Sequence, residues 1–332
     1  MKKAIIILVV IVTVTVFLPK GIMAAPFYEG KTLVIAVGAG PGGGYDRMAR
    51  IFAKFLPKYI PGKPNVIVQN MVGAGGIINA NYLYNNAKPD GLTIGALQRG
   101  IIIGQLTEVE GIRFDIRKFA WLGSPTSESF IFGVRSDLPY KSIEDLRKAN
   151  RVIYVGADST ATSDYQFPAL LKEFLGLNIK FTFYPSGTES MLAMEKKEID
   201  AKAGSYLALK RYIERGLLRP LLRNTVAEPE TKALPAAPDL TNSKLGKTLF
   251  TMLAAADKMG RPYACPPGTP ADKLAILRDA FAKALKDPEL RKYAGSLDIR
   301  INYVSAEECK ETINYVMGQP KNVIEDFRRY VK

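Results

Sequence analysis

Leu33-Val34-Ile35-Ala36-Val37-Gly38-Ala39-Gly40-Pro41-Gly42-Gly43-Gly44-Tyr45-Asp46 decides the fold: a β-branched strand runs into a glycine-rich turn, and residues 47–56 continue as a helix. Val66-Ile67-Val68-Gln69-Asn70, then Gly73-Ala74-Gly75-Gly76, then residues 77–84 repeat the plan. Glycine permits a sharp turn and close approach to backbone N–H groups, and a helix opening there adds unpaired donors and the positive end of its dipole. Two such turns side by side predict a cradle for an anion, between 40–45 on one side and 73–76 on the other.

Strand and helix signals alternate beyond these turns, as in an α/β sheet. Lys88-Pro89-Asp90-Gly91 is a turn leading to a strand over 92–97 that ends at Gln98-Arg99-Gly100, and 129–135 is a further strand. Ser142-Ile143-Glu144-Asp145 has the spacing of a capping box. Past a lobe change near Ser136 the logic recurs with different chemistry: a strand over 152–156, a hydroxyl-rich loop over 157–163, a helix over 164–175 stopped by Gly176, and a strand over 179–184. Ser186 and Glu189, again at capping-box spacing, open another helix, so four helix N-termini are predicted to face one cleft. Thr269 as N-cap and Pro270 at the first helical position predict a long helix through Leu285 that returns to the first lobe.

The chain has 332 residues, 47% of them hydrophobic, enough for two cores. Lys2, Lys3, the apolar run 4–18 and the small residues before Pro26 read as a secretory signal cleaved after Ala24, the run being shorter than the roughly 18–20 residues of a membrane span. The mature protein is then free in an exported, periplasmic compartment. Histidine is absent, which removes Ser-His and Cys-His catalysis and most transition-metal sites. Cys265 and Cys309 either pair or remain two separate buried thiols. The formal net charge of +14 is dispersed, with no dense basic run and no stacking-aromatic motif, which disfavours nucleic acid and favours a small anionic ligand.

Gly38, Gly40 and Gly43 satisfy G-x-G-x-x-G, but the next strand ends in Gln69 and Asn70 where a dinucleotide site needs an acidic residue, so no nucleotide cofactor is expected. A purely structural tight turn stays open beside the cradle reading. Asp46 either pairs with Arg50 across one helical turn or meets a ligand amino group. Arg99 closes a strand end where open α/β sheets bind ligands, and either holds a carboxylate or is a solvated surface arginine. Ser159, Thr160, Thr162 and Ser163 either donate hydroxyls or cap the following helix.

Taken together, the turn followed by Tyr45-Asp46-Arg47-Met48-Ala49-Arg50, the run from Val68 through Gly76, Pro89-Asp90-Gly91-Leu92-Thr93 and Pro266-Pro267-Gly268-Thr269-Pro270 resemble the solute receptors of tripartite tricarboxylate transporters, the Bug family. The resemblance implies a two-lobed type II periplasmic-binding-protein fold, each lobe a mixed, mostly parallel sheet flanked by helices. It assigns 25–135 plus 262–332 to the first lobe and 136–261 to the second. It further implies a monomer that closes on a small organic carboxylate and delivers it to a permease of a large and a small membrane subunit. The candidate ligand-binding set is Gly40, Gly42, Gly43, Gly44, Tyr45, Asp46, Gly73, Ala74, Gly75, Gly76 and Arg99 in the first lobe, with Ser159, Thr160, Ala161, Thr162, Ser163, Tyr184, Gly187, Thr188 and Ser205 in the second. No metal or catalytic residue is expected. Ser159-Thr160-Ala161-Thr162-Ser163 and Tyr184-Pro185-Ser186-Gly187 depart from the family's usual second-lobe loops. A receptor for a membrane signalling protein shares every one of these features, and a histidine-free exported hydrolase is the enzyme alternative.

Overall fold

A computed structural model describes residues 26–331, so the expected signal at 1–24 and its cleavage point lie outside the described residues. The chain opens as β1 (Thr32–Val37), α1 (Gly44–Phe55), β2 (Asn65–Asn70), α2 (Ile77–Asn85), β3 (Thr93–Ala96), α3 (Ile101–Leu106) and β4 (Ala120–Ser124). It continues through β5 (Phe130–Arg135), α4 (Ile143–Arg147), β6 (Ile153–Ala157), α5 (Ser163–Leu175), β7 (Ile179–Phe183) and α6 (Gly187–Glu195). Then come β8 (Ala201–Ser205), α7 (Tyr206–Glu214), β9 (Leu218–Arg223) and α8 (Lys244–Lys258). The last stretch is β10 (Tyr263–Cys265), α9 (Ala271–Lys286), α10 (Pro288–Gly295), β11 (Val304–Ser305), α11 (Ala306–Met317) and α12 (Lys321–Val331).

Two mixed sheets result, ordered β11-β4-β10-β3-β1-β2 and β7-β6-β8-β5-β9. The parallel part of each is a three-strand unit, β2-β1-β3 and β7-β6-β8, because each β-α-β run must cross over the sheet to re-enter it in the same sense. Antiparallel strands extend both units: β10 on β3 and β4, and β5 on β8 and β9. The buried strands are rich in Val, Ile and Ala, as a sheet covered on both faces requires, and Phe52, Tyr263 and Phe281 pack ring to ring under the first sheet.

Three expectations shift. The first crossing lies between Ser124 and Phe130, not near Ser136, because β5 takes its hydrogen bonds from β8 and β9 and so belongs to the second sheet. The C-terminal helices do not all return to the first lobe: α9 and α10 do, but α12 packs on α5, while Arg328 on it donates to Leu106 O and pairs with Glu108. Thr269 does not cap α9; its hydroxyl donates to Pro266 O, and Pro270 takes the N-cap position with no side-chain bond. The box at Ser142 and Asp145 forms, and Gly176 ends α5 in the left-handed conformation that glycine adopts without penalty.

Candidate functional site

Both glycine turns deliver a helix whose first N–H groups have no side-chain cap. At the first, Gly43 precedes α1 with φ −71°, ψ 170°, and the N–H groups of Gly44, Tyr45 and Asp46 find no acceptor among the described residues. Gly42, at φ +77°, makes the tight turn. The second turn is left-handed throughout, with φ of 139°, 45°, 61° and 90° at Gly73, Ala74, Gly75 and Gly76, and it leads into α2 without a side-chain cap. Gly43 therefore does not itself need a positive φ, and a Cβ there meets only Gly40 O at 3.3 Å.

The second lobe closes over these turns. A Cβ on Gly75 would stand 2.4 Å from Ser159 Oγ and 2.6 Å from Thr162 Cγ2, one on Gly40 3.5 Å from Ser186 Cβ, and one on Gly100 2.6 Å from Ala161 O. Between the lobes lies a cavity of about 180 Å³. Helices α1, α5, α6 and α7 all begin at its wall, through Gly44, Ser163, Gly187 and the pair Ser205 and Leu207. Converging N-termini make such a space electropositive at no cost in side-chain entropy.

Of the expected ligand residues, Gly40, Gly42, Gly43, Gly44, Tyr45, Gly73, Gly75, Gly76, Arg99, Thr162, Ser163, Gly187, Thr188 and Ser205 line this cavity. Asp46, Ala74, Ser159, Thr160, Ala161 and Tyr184 do not. Asp46 instead braces the first turn: its carboxylate accepts from Gly42 N at 2.9 Å, Arg50 Nε at 2.9 Å and Asn70 Nδ2 at 3.0 Å. Burial alone would raise its pKa, but these bonds outweigh it and hold the group below the usual carboxylate value. The loop 159–161 faces the first lobe rather than the ligand space, with Ser159 Oγ accepting from Ala161 N and the Thr162 hydroxyl, which has one proton to give, within hydrogen-bond reach of Ser159 O and Asp164.

Arg99 lines the cavity and is not the solvated surface arginine that was one reading of its position. It is 5% exposed, pairs with Asp257 at 3.2 Å and Glu128 at 3.6 Å, and lies over the Phe130 ring. Glu128 also holds Arg261 at 2.6 Å, whose guanidinium packs against Gly44 and is 2% exposed. Burial would push Glu128 up, yet Arg261 and then Arg99 bring it down and keep it ionised. At another part of the wall Lys202, 4% exposed, is held by Asp164 at 2.5 Å, Asp158 at 3.6 Å and Gly156 O at 3.2 Å. Residues 47, 128, 158, 164, 202, 211 and 261 line the cavity without having been singled out in the sequence. Lys202 carried one signal: a lysine inside the apolar strand Ala201–Ser205 points to a buried partner.

Cys265 and Cys309 are free thiols, both buried, one in β10 and one in α11. Among the described residues no group of three or more His, Cys, Asp or Glu is placed to hold a metal, and no helix is long and apolar enough to cross a membrane.

Comparison with known proteins places this geometry in context. The sequence model of the tripartite tricarboxylate transporter family receptor matches residues 48–328. A Cupriavidus necator protein described as "UPF0065 protein in gbd 5'region" is 26% identical over 304 residues, covering 90% of this chain and 88% of its own. Among solved structures, the periplasmic binding protein BugD matches with a TM-score of 0.75 at 19% identity, covering 91% of this chain and 98% of that one. The malate-bound MatC of Rhodopseudomonas palustris matches at 0.71 and 17%, covering 91% and 99%. At such identities the structural matches establish the fold, a two-lobed binding protein.

Proposed function

Because this chain belongs to the tripartite tricarboxylate transporter receptor family, we propose that it is an exported receptor that closes its lobes on a small organic carboxylate and presents it to a membrane permease of a large and a small subunit. The observation that carries this reading is the uncapped start of α1, whose Gly44 and Tyr45 line a closed cleft where further helices from the opposite lobe begin. A carboxylate is the anion such donors suit: its single delocalised charge is met by amides and dipoles, often with water between, and no lysine or arginine stands within either glycine turn. The malate bound to a structural relative supports the same class. The cavity of about 180 Å³ suits a ligand of a few carbons.

Thermal-shift screening of organic acids against the exported protein tests the reading. An acid present at about 100 times its dissociation constant should stabilise the fold by about 2.7 kcal/mol. Failure of every mono-, di- and tricarboxylate to shift the melting temperature refutes it. Co-purification with the permease subunits, as opposed to a sensor protein, decides between delivery and signalling.

A further inference from the structure

Two groups of buried charge line the cleft, and only one of them balances. Arg99 and Arg261 face Asp257 and Glu128, two cations against two carboxylates. On the second-lobe wall Lys202 faces both Asp164 and Asp158, and among the described residues no other cation is in ion-pair contact with either acid. Lys202 already donates to Asp164 at 2.5 Å and to Gly156 O at 3.2 Å, whereas Asp158 Oδ1 stands 3.6 Å from it and makes no hydrogen bond. Asp164 therefore suffices as the counterion of the lysine, and Asp158 is an acid in excess.

Asp158 is also the member of the trio closest to the ligand space. Its side chain is 18% exposed, more than that of Lys202 or Asp164, and it lines the cavity. It directly follows β6, at the carboxyl end of a parallel strand, where open α/β sheets place groups that touch ligands. Ser159 and Thr162, which follow it, are the residues that abut Gly75 across the closed cleft, so an anion on the second glycine turn has Asp158 for a neighbour. On the same wall the buried Ser163 hydroxyl has no partner among the described residues. A plain carboxylate brought here meets a further negative charge, but a ligand that also carries an N–H or O–H group gives that charge the hydrogen bond it lacks.

We propose that Asp158 selects the ligand by accepting a hydrogen bond from an ammonium or hydroxyl group within two carbons of the carboxylate on the glycine turns. Amino and hydroxy acids are then preferred to plain acids of the same skeleton. This rests on the carboxylate reading of the cleft and adds to it which carboxylates are chosen. Lys202 and Asp164 are positioning residues: they fill the wall behind Asp158 and leave its carboxylate to the ligand.

Calorimetry on the mature chain at about pH 8 tests the assignment, above the value of about 7 to which burial, and then the charge of Asp164, push the Asp158 carboxyl. The series are propionate with lactate and alanine, butyrate with its 2- and 3-hydroxy and amino derivatives, and succinate with malate and aspartate. At least one donor-bearing acid should bind about tenfold or more tighter than its parent, the size expected of a hydrogen bond to a charged group. In Asp158→Ala, which leaves Lys202 paired with Asp164 and whose fold is checked by circular dichroism, that ratio should fall to within about twofold. A merely structural role would instead weaken parent and derivative alike. Asp158→Asn separates the two donors: its amide oxygen still accepts from a hydroxyl but offers an ammonium no charge, so a hydroxy-acid preference should survive in part and an amino-acid preference should be lost. If every parent acid binds as well as its derivatives, or the ratio persists in Asp158→Ala, the assignment is refuted while the carboxylate reading stands. If none of these acids binds, the carboxylate reading itself fails and the assignment with it.

Discussion

Replacing Gly75 with alanine separates the two jobs of the second glycine turn. The residue sits at φ +61°, where an L side chain costs about 1–2 kcal/mol, and that strain is present whether the lobes are open or closed. The new Cβ also meets Ser159 Oγ at 2.4 Å and Thr162 Cγ2 at 2.6 Å, and these contacts exist only when the second lobe is down. Neither neighbour yields cheaply. Turning Ser159 away breaks its bond from Ala161 N, and Thr162 is tied through its hydroxyl to Ser159 O and Asp164. Overpacking of this kind costs about 2–3 kcal/mol, which falls on the closed state alone and so weakens binding by about 30- to 150-fold. Gly176→Ala is the control: φ is +69°, nothing lies within 4 Å of the added Cβ, and the residue stands at the far end of α5. Both variants should lose similar stability in a thermal melt, but calorimetry with a carboxylate found by screening should show the affinity loss in Gly75→Ala only. Equal affinity in the two would refute the closed contact between the turn and the 159–162 loop.

Other consequences can be measured directly. Burial, and then the charge of Asp164, pushes the Asp158 carboxyl up to about 7, so the folded chain holds this proton more tightly than the unfolded one. Its contribution to stability is therefore full below the unfolded value of about 4 and is lost as pH rises through about 7. In urea unfolding, Asp158→Asn should gain on the wild type steadily across that window, and a pH-independent difference would show that the group is not protonated there. For the cysteines, burial pushes both thiols up to about 12. A thiol reagent should label neither Cys265 nor Cys309 until the chain is denatured and both thereafter, and an intact mass two hydrogens short in the exported protein would contradict the free-thiol arrangement.

Local chemistry made the first lobe readable. A β-branched run, glycines and an amphipathic helix dictate each other over a dozen residues, so β1 to α2 and both turns could be placed from the sequence, as could the capped starts of α4 and α6. What escaped depends on partners far along the chain. Arg99 could be read as a ligand group or as a solvated arginine; the carboxylates that bury and neutralise it are 29 and 158 positions away, and nothing local announces them. Arg211 reads as one more solvated residue of an amphipathic helix until α7 is docked against the cleft. The crossing moved for a related reason: residues 130–135 fit either sheet by composition, and only long-range pairing with β8 and β9 decides.

The four charges of Arg99, Glu128, Arg261 and Asp257, with Asn224 donating to Asp257 at 3.0 Å and Thr126 to Glu128 at 2.8 Å, lie where the chain passes between lobes in both directions. Ions buried this deeply cannot be pulled apart without losing several kcal/mol each. If the lobes close on a ligand as proposed, the pivot runs through these ions, and the wall they form keeps its shape while the opposite wall swings. On that reading a ligand arriving from solvent first meets a rigid wall with the α1 turn beside it.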